Sequence, residues 1–347
     1  MSHFRTQNRF ALLLEMLWNP EEHDMTKAIV VRSLGGPDVL KLEDAPLGPP
    51  GAGEVQIRQA AIGLNFIDVY FRTGLYKADL PFIPGKEGAG TVTAVGEGVT
   101  DFAVGDRVAY ASADGAYAAE RNVATKHLVK VPEGISLETA AAMMLKGMTA
   151  QYLLLQTYPV KPGSVILFHA AAGGVGLIAG QWAKALGATV IGTAGSQAKI
   201  DLALAHGYDH VIDYGREDFA ARVRELTDGA GVDVVYDSVG KDTFPKSLDC
   251  LKPRGLFVSF GNSSGPVDAF NMGLLAQKGS LFATRPTLFH YIATRAALDA
   301  CANSLFDVVR SNKVRINIHQ TYSLADAGRA HTDLESRKTS GTTLLIP

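Results

Sequence analysis

The sequence is poor in cysteine, in unbalanced charge and in long apolar runs, and each shortage removes a class of protein. Only Cys250 and Cys301 occur in 347 residues. Two distant cysteines make neither a disulfide framework nor a four-cysteine zinc cluster, and they suit a reducing compartment such as the cytoplasm. They read as small buried apolar side chains. Lys and Arg total 33 against 35 Asp and Glu, a net charge of −2. There is thus no basic footprint for nucleic acid or an anionic membrane. No apolar stretch is long enough for a membrane-spanning helix, and no internal repeat or low-complexity segment occurs.

What is present is a globular composition: 47% hydrophobic and 20% charged residues, over a length that suits two domains. The first 24 residues stand apart. Phe10, Leu13, Leu14 and Leu17 recur at helical spacing behind Arg5 and Arg9. Glu15 and Glu22 interrupt them and no small-residue cleavage site follows, so a targeting leader is not expected. Residues 1–24 are read as an N-terminal extension, with the first domain starting near Met25.

From residue 27 to about 131 the pattern is β-rich. Strands are expected over 27–31, 55–58 and 90–95, with Gly35-Gly36-Pro37 and Gly48-Pro49-Pro50-Gly51 as punctuation. Residues 137–155, rich in Ala, Met and Leu, predict helix. Short apolar runs then alternate with helical stretches at 165–168, 189–191, 210–212, 232–236, 256–260 and 280–283. Apolar strands separated by helices mean a parallel sheet covered on both faces. Six of them predict a doubly wound, Rossmann-type α/β domain. A helix near 296–310, a strand at 315–318 and a closing strand at 343–346 follow.

The chemistry-bearing motif is the turn Ala170-Ala171-Ala172-Gly173-Gly174-Val175-Gly176. It follows the first of those strands and opens a helix whose apolar face is expected to hold Val175, Ile178, Trp182 and Leu186, with Gly187 ending it. Gly173 admits a diphosphate to the backbone, and Gly176 allows close helix packing. The helix N-terminus offers free N–H groups and partial positive charge. Ala171 replaces the first glycine of the usual pattern. An acid at the second strand's end would hold the ribose hydroxyl of NAD. Here that end reads Gly195-Ser196-Gln197-Ala198-Lys199. Ser196 and Lys199, with Tyr214 and Arg216 after the third strand, suit a 2′-phosphate instead, which selects NADPH.

Dehydrogenases of this layout often carry a Cys/His-bound zinc. Here Asn65 stands where its cysteine ligand would be, and Lys86 where a histidine would be. Without a Lewis acid, hydride addition to a simple ketone is difficult, because the product is an alkoxide. A quinone gives a phenolate-like anion whose conjugate acid titrates near ~10, as tyrosine does. A conjugated enone is intermediate.

The segment from Ala61 to Tyr70, containing Asn65-Phe66-Ile67-Asp68, resembles the NADPH:quinone oxidoreductases. These are the zinc-less branch of the medium-chain dehydrogenase/reductases, related to zeta-crystallin. Leu145-Lys146-Gly147-Met148-Thr149, the stretch 168–182, Val235-Tyr236-Asp237-Ser238-Val239-Gly240, Phe260-Gly261-Asn262-Ser263-Ser264-Gly265 and Thr284-Arg285-Pro286 agree with that family. The resemblance implies a GroES-like catalytic domain over 25–146 and 288–347, with the Rossmann NADPH-binding domain of 147–287 inserted in it. It places Asn65, Phe66, Ile67, Asp68 and Tyr70 beside the nicotinamide, with Tyr76 in the substrate pocket. Lys146, Thr149, Gly173, Gly174, Val175 and Gly176 are implied in cofactor binding. Gly195, Ser196, Lys199 and Tyr214 are implied around the 2′-phosphate. Ser238, Phe260, Gly261, Asn262, Ser263, Phe282, Ala283, Thr284 and Arg337 complete the implied set.

Read from the residues alone, Tyr70 and Tyr76 are equally good core aromatics, and Arg337 an ordinary surface arginine. The implied function is metal-independent reduction of a small quinone in the cleft between the domains, by a homodimer without nucleic-acid or membrane partners. An enone or 2-alkenal reductase on the same scaffold is the alternative. A non-catalytic NADPH- or RNA-binding protein of crystallin type is another. Because a phenolate needs little help from an acid, Tyr70→Phe and Tyr76→Phe should each keep kcat for a quinone within about tenfold of wild type. Steady-state rates beside an NADPH-binding titration check this.

Overall fold

The computed structural model describes residues 24–347. The extension expected over 1–24 therefore lies, apart from Asp24, outside the described residues. The described residues divide into two compact units, 24–145 with 318–347, and 146–317.

The first unit is built on antiparallel strands whose alternation is visible in the sequence. In Glu54–Gly63, Val55 and Ile57 are buried while Arg58 is exposed, the period-two pattern of a strand with one face on a core. Glu54–Gly63 pairs with Thr342–Ile346, Glu87–Val95 and Glu120–Ala124. Ile318–Ser323 extends one edge of this sheet, and Arg107–Tyr110 with Val129–Lys130 extend the other. Asp24–Val30 and Lys41–Leu47 form a separate antiparallel ribbon. Ile29, Ile57, Ile62, Val108, Leu128 and Leu345 make the core. The helix Phe66–Thr73 follows the strand Glu54–Gly63 directly, and left-handed Gly74 stops it at φ 83°.

The second unit holds a six-stranded sheet with every pairing parallel. Numbered within this sheet, the strands lie in the order 3-2-1-4-5-6, the doubly wound arrangement. The order in which strands are added across the sheet reverses between Val165–Phe168 and Val232–Asp237. Loops at their carboxyl ends therefore splay apart there and leave room for a ligand. The helix Gly174–Ala185 buries Leu177, Ile178, Ala179, Trp182 and Ala183. Of the apolar face expected for it, Ile178 and Trp182 are buried but Val175 and Leu186 only half so. Small residues explain the rotation: Gly180 lies so close to the Tyr208 ring that a Cβ would come within 2.3 Å of it.

Three boundaries differ from expectation. The strand expected at 315–318 instead spans Ile318–Ser323. Gln181 occupies both backbone groups of Arg315, accepting from its N–H at 2.9 Å and donating to its carbonyl at 3.1 Å, so they are lost to a ladder. The last parallel strand is Phe282–Thr284, because Ser280 adopts the left-handed φ of 54°. Residues 288–317, expected with the GroES-like domain, pack in the second unit. Tyr291 stacks on Tyr152 at 4.4 Å, and Leu305 lies so close to Gly147 that a Cβ there would be 2.5 Å away. The apolar face of helix Arg295–Arg310 completes that unit's packing. Leu305→Ala should therefore cost about 2–5 kcal/mol, measured by urea unfolding. A loss below ~0.5 kcal/mol is what a peripheral tail would give.

Candidate active site

The second unit assembles one group of residues at the carboxyl ends of its central strands. Val165–Phe168 runs into His169 and then Ala170, which takes the left-handed φ of 55° without being glycine. The turn closes through Gly173 N–H to the Ala170 carbonyl at 2.9 Å, and Ala171 N–H holds it to Thr193 at 3.0 Å. Gly173 is the N-cap of the helix and has no side chain to satisfy its first N–H groups. Gly176 lies so near the turn that a Cβ would be 2.5 Å from the carbonyl oxygens of both Ala170 and Ala171. A bare helix N-terminus held against a tight turn is an anion cradle, and it fits a diphosphate.

Behind the turn is a buried polar network that sequence reading missed. The ring of His169 meets the Thr193 hydroxyl at 3.0 Å and the Ser247 hydroxyl at 3.0 Å. Ser247 donates to Asp237 Oδ2 at 3.0 Å, as Thr243 does at 2.7 Å. Asp237 Oδ1 accepts from the Val239 and Gly240 N–H groups at 2.8 and 3.0 Å. The Asp237 carboxylate thus shapes the backbone after Ser238. Burial lowers the pKa of His169 against the opposing pull of Asp237. The available signal was a histidine and an acid ending two otherwise apolar strands.

Ser238 in turn receives the next loop. Ser263 N–H donates to its carbonyl at 3.1 Å, and Gly261 packs so close that a Cβ would be 2.6 Å from that oxygen. The Phe260 ring stands 5.5 Å from that of Phe168. The expected residues Ser238, Phe260, Gly261, Asn262 and Ser263 therefore come together with the glycine-rich turn.

At the end of the second strand, Tyr214 N–H bonds the Ala194 carbonyl at 3.2 Å, and its ring covers Gly195, where a Cβ would meet the hydroxyl at 2.5 Å. Ser196 caps the helix Gln197–Leu204, and Lys199 lies in its first turn. No carboxylate lies between Gly195 and Lys199. Nearby Asp213 is engaged by Gly215 N–H at 3.0 Å and by Arg216 at 3.5 Å. Gly195, Ser196, Lys199 and Tyr214 are brought together, and this donor set fits a 2′-phosphate.

Lys146 and Thr149 are buried on the helix Leu137–Tyr152. Ala283 and Thr284 lie on the edge strand beside Phe257 and Val258. Phe282 points elsewhere. It lines a cavity of about 420 Å³ with Tyr158, Asp233, Lys252, Arg254 and Leu256, at the amino-terminal side of the strands. Sequence spacing does not reveal which end of a three-residue strand a side chain serves. Burial pushes the thiols of Cys250 and Cys301 up to about 12, so neither is a nucleophile at neutral pH.

The first unit carries the other expected residues. Asn65 is the N-cap of helix Phe66–Thr73, and its N–H donates to Asp68 Oδ2 at 2.9 Å. The Asn65 amide donates to the Gly63 carbonyl at 3.1 Å and to Glu87 Oε2 at 2.8 Å. Glu87 is fully buried, and its other oxygen accepts the Leu145 N–H at 2.6 Å. Sequence spacing does not reveal this role, because its partners Asn65 and Leu145 lie far along the chain. Phe66 and Ile67 open the helix. Tyr70 packs edge-on against Tyr76 at 5.2 Å and tilted on Phe66 at 6.2 Å. Both tyrosines thus do belong to an aromatic cluster. Lys86 pairs with Asp114 and lies 4.6 Å from the Phe71 ring centre. Arg337, left-handed at φ 59°, follows the helix Ala327–Glu335 in this same unit. Among the described residues, no three His, Cys, Asp or Glu side chains stand together as metal ligands.

Two family models match the chain, described as a zinc-binding dehydrogenase over residues 174–296 and an alcohol dehydrogenase GroES-like domain over 51–165. A quinone oxidoreductase of Pseudomonas aeruginosa is 56% identical over 325 residues, covering 93% of this chain and 100% of that protein. The crystal structure of Escherichia coli quinone oxidoreductase complexed with NADPH matches with a TM-score of 0.91 at 51% identity, covering 92% of this chain and 100% of that one. A 2-haloacrylate reductase of a Burkholderia species is 46% identical over 331 residues, covering 93% of this chain and 99% of that protein.

The cradle at Gly176 leads to a direct test. Gly176→Ala should weaken NADPH binding about fivefold or more, since the added methyl must displace backbone and costs about 1–3 kcal/mol. Lys199→Ala should narrow the preference for NADPH over NADH by about tenfold, one charged contact to phosphate. Fluorescence titration with both nucleotides reads both effects.

Proposed function

Because the chain belongs to the medium-chain dehydrogenase/reductases, and within them to the quinone oxidoreductases, we propose that it reduces quinones with NADPH through the residues described above. The observation that carries this reading is the Gly195, Ser196, Lys199 and Tyr214 group, a 2′-phosphate site without a carboxylate, in a chain 56% identical to a quinone oxidoreductase. Bound NADPH would supply the electrons, passed directly from the nicotinamide to the quinone.

The chain's own residues bind and orient. The N–H groups at the start of helix Gly174–Ala185 hold the diphosphate, and Lys199 supplies the cation at the 2′-phosphate. Asn65, Asp68 and Tyr70 border the nicotinamide, and Tyr76 borders the substrate. Both amide hydrogens of Asn65 are occupied by Gly63 and Glu87, and its side chain also takes part in the capping box with Asp68, which fixes its orientation. The product anion is phenolate-like, and water supplies its proton. Positioning therefore does most of the work, and no side chain has to act as an acid. This placement rests on the family's shared motif together with the packing of Asn65, Asp68 and Tyr70 on one short helix.

The exposed edge strand Phe282–Thr284, with Phe282 59% exposed, supports a homodimer joined along that edge. The two unpaired, buried thiols agree with a cytoplasmic setting.

A panel of 1,4-benzoquinone, a 2-alkenal and a 2-haloacrylate, each offered NADPH and NADH, tests the reading. Quinone with NADPH should give the highest kcat/KM. Faster turnover of a haloacrylate would move the chain to the reductase reading that its Burkholderia relative represents, and a preference for NADH would remove the role given to Lys199.

A further inference from the structure

Deep in the first unit, polar side chains form an unbroken line from the surface acid Glu335 to Asn65. Arg72 is 1% exposed and makes a two-pronged pair with Glu335 at 2.7 and 2.9 Å. Its Nη1 also meets His331 Nδ1 at 3.1 Å. His331 Nε2 meets the Tyr117 hydroxyl at 3.0 Å, and that hydroxyl meets Asp68 Oδ2 at 3.0 Å. The same carboxylate oxygen receives the Asn65 N–H.

Elementary donor and acceptor rules orient every bond in this line. A guanidinium nitrogen only donates. His331 Nδ1 must therefore accept, so the ring proton sits on Nε2 and is donated to the Tyr117 oxygen. The phenol proton is then directed to the other neighbour, Asp68. We propose that Tyr117 and His331 are positioning residues for quinone reduction, forming a one-way, proton-silent relay that starts at Arg72 and locks the Asp68 carboxylate and, through it, Asn65.

The groups facing His331 support a ring that stays neutral. Arg72 faces it from helix Phe66–Thr73 and Tyr117 from the segment before strand Glu120–Ala124. Glu335, on its own helix, is taken up by Arg72, and Asp68 and Glu87 lie beyond Tyr117. Burial, with Arg72 adding to it, lowers the His331 pKa to about 3. The Tyr117 phenol is buried next to Asp68, which raises its pKa well above the usual value. Neither group changes charge across the physiological range, so the bond directions hold. A buried polar line of this kind is not required for stability, since apolar side chains of similar volume would pack at least as well. Its end point is the helix cap that presents Asn65, Asp68 and Tyr70.

The inference rests on the proposed placement of those three residues at the nicotinamide, and the experiment separates the two. Tyr117→Phe should lower kcat/KM for a quinone about tenfold while the NADPH dissociation constant stays within twofold, since small misplacements at a reacting centre are costly. In an Asp68→Ala background the same change should produce no further loss, because the relay has nothing left to hold. Additive losses, or unchanged turnover in Tyr117→Phe alongside a loss in Asn65→Ala, overturn the relay alone. Unchanged turnover in Asn65→Ala overturns the placement and the relay with it. In the wild-type protein, nitrogen-15 spectra of His331, assigned through its ring-to-backbone correlations, should show the Nε2–H tautomer without titration between pH 5 and 8. A proton on Nδ1, or a titration in that range, overturns the proposal even where a variant does not fold.

Discussion

Between the α-carbon of Gly176 and the carbonyl oxygens of Ala170 and Ala171 there is room for a hydrogen atom but not for a methyl group. This close approach determines how helix Gly174–Ala185 meets the first parallel strand, and the cofactor-facing half of the molecule follows from it. Because the helix comes this near, its uncapped N-terminus sits directly over the turn, and its partial positive charge is presented where a diphosphate can reach it. Ala170 takes a left-handed conformation that costs an alanine about 1–2 kcal/mol, and the surrounding turn holds it there. The helix axis then brings Gly180 against Tyr208, whose hydroxyl donates to the Gly176 carbonyl at 2.8 Å and ties the second βα unit to the first.

Each unit carries a buried polar network that ends on candidate site residues. In the nucleotide-binding unit, Asp237, Ser247, His169 and Thr193 connect the ends of three strands and shape the loop after Ser238. In the GroES-like unit, Glu335, Arg72, His331, Tyr117 and Asp68 end on Asn65. Both networks contain a histidine whose pKa is lowered by burial, and in each a carboxylate oxygen accepts from two donors. Buried polar groups are tolerable only when paired in this way. The pairing also restricts side chains to single orientations, which a site that works by positioning requires.

Asn65 and Lys86 are the two residues expected from the sequence where a zinc enzyme of this layout carries ligands. Asn65 turns its amide hydrogens toward Gly63 and Glu87, and Lys86 reaches Asp114 across the Phe71 ring. Both are committed to protein partners, and the nearest acid, Glu87, is spanned between the Asn65 amide and a backbone N–H. Such an arrangement matches a substrate whose reduced form carries its charge easily, as a hydroquinone does.

Local pattern was enough for the six parallel strands, the glycine-rich turn that opens a helix and the missing carboxylate after the second strand. Strand periodicity, a glycine at a forced close approach and the charge of a short segment are properties of neighbouring residues, so they can be read along the chain. The motif of Asn65 through Tyr70 was likewise legible, through its resemblance to a known family. Other features depended on residues far apart in sequence. Arg72 and His331 are separated by 259 positions, and nothing in either neighbourhood announces the other. Glu87 gains its role only once folding places it against Asn65, and residues 288–317 joined the nucleotide-binding unit because Leu305 and Tyr291 find their partners there. The amino-acid sequence by itself determined the fold class, the cofactor type and the chemical class of the substrate, since those rest on local spacing and residue type. Only the tertiary structure decided which buried side chains hold the site in place, because hydrogen-bond direction and close packing exist only once distant segments meet.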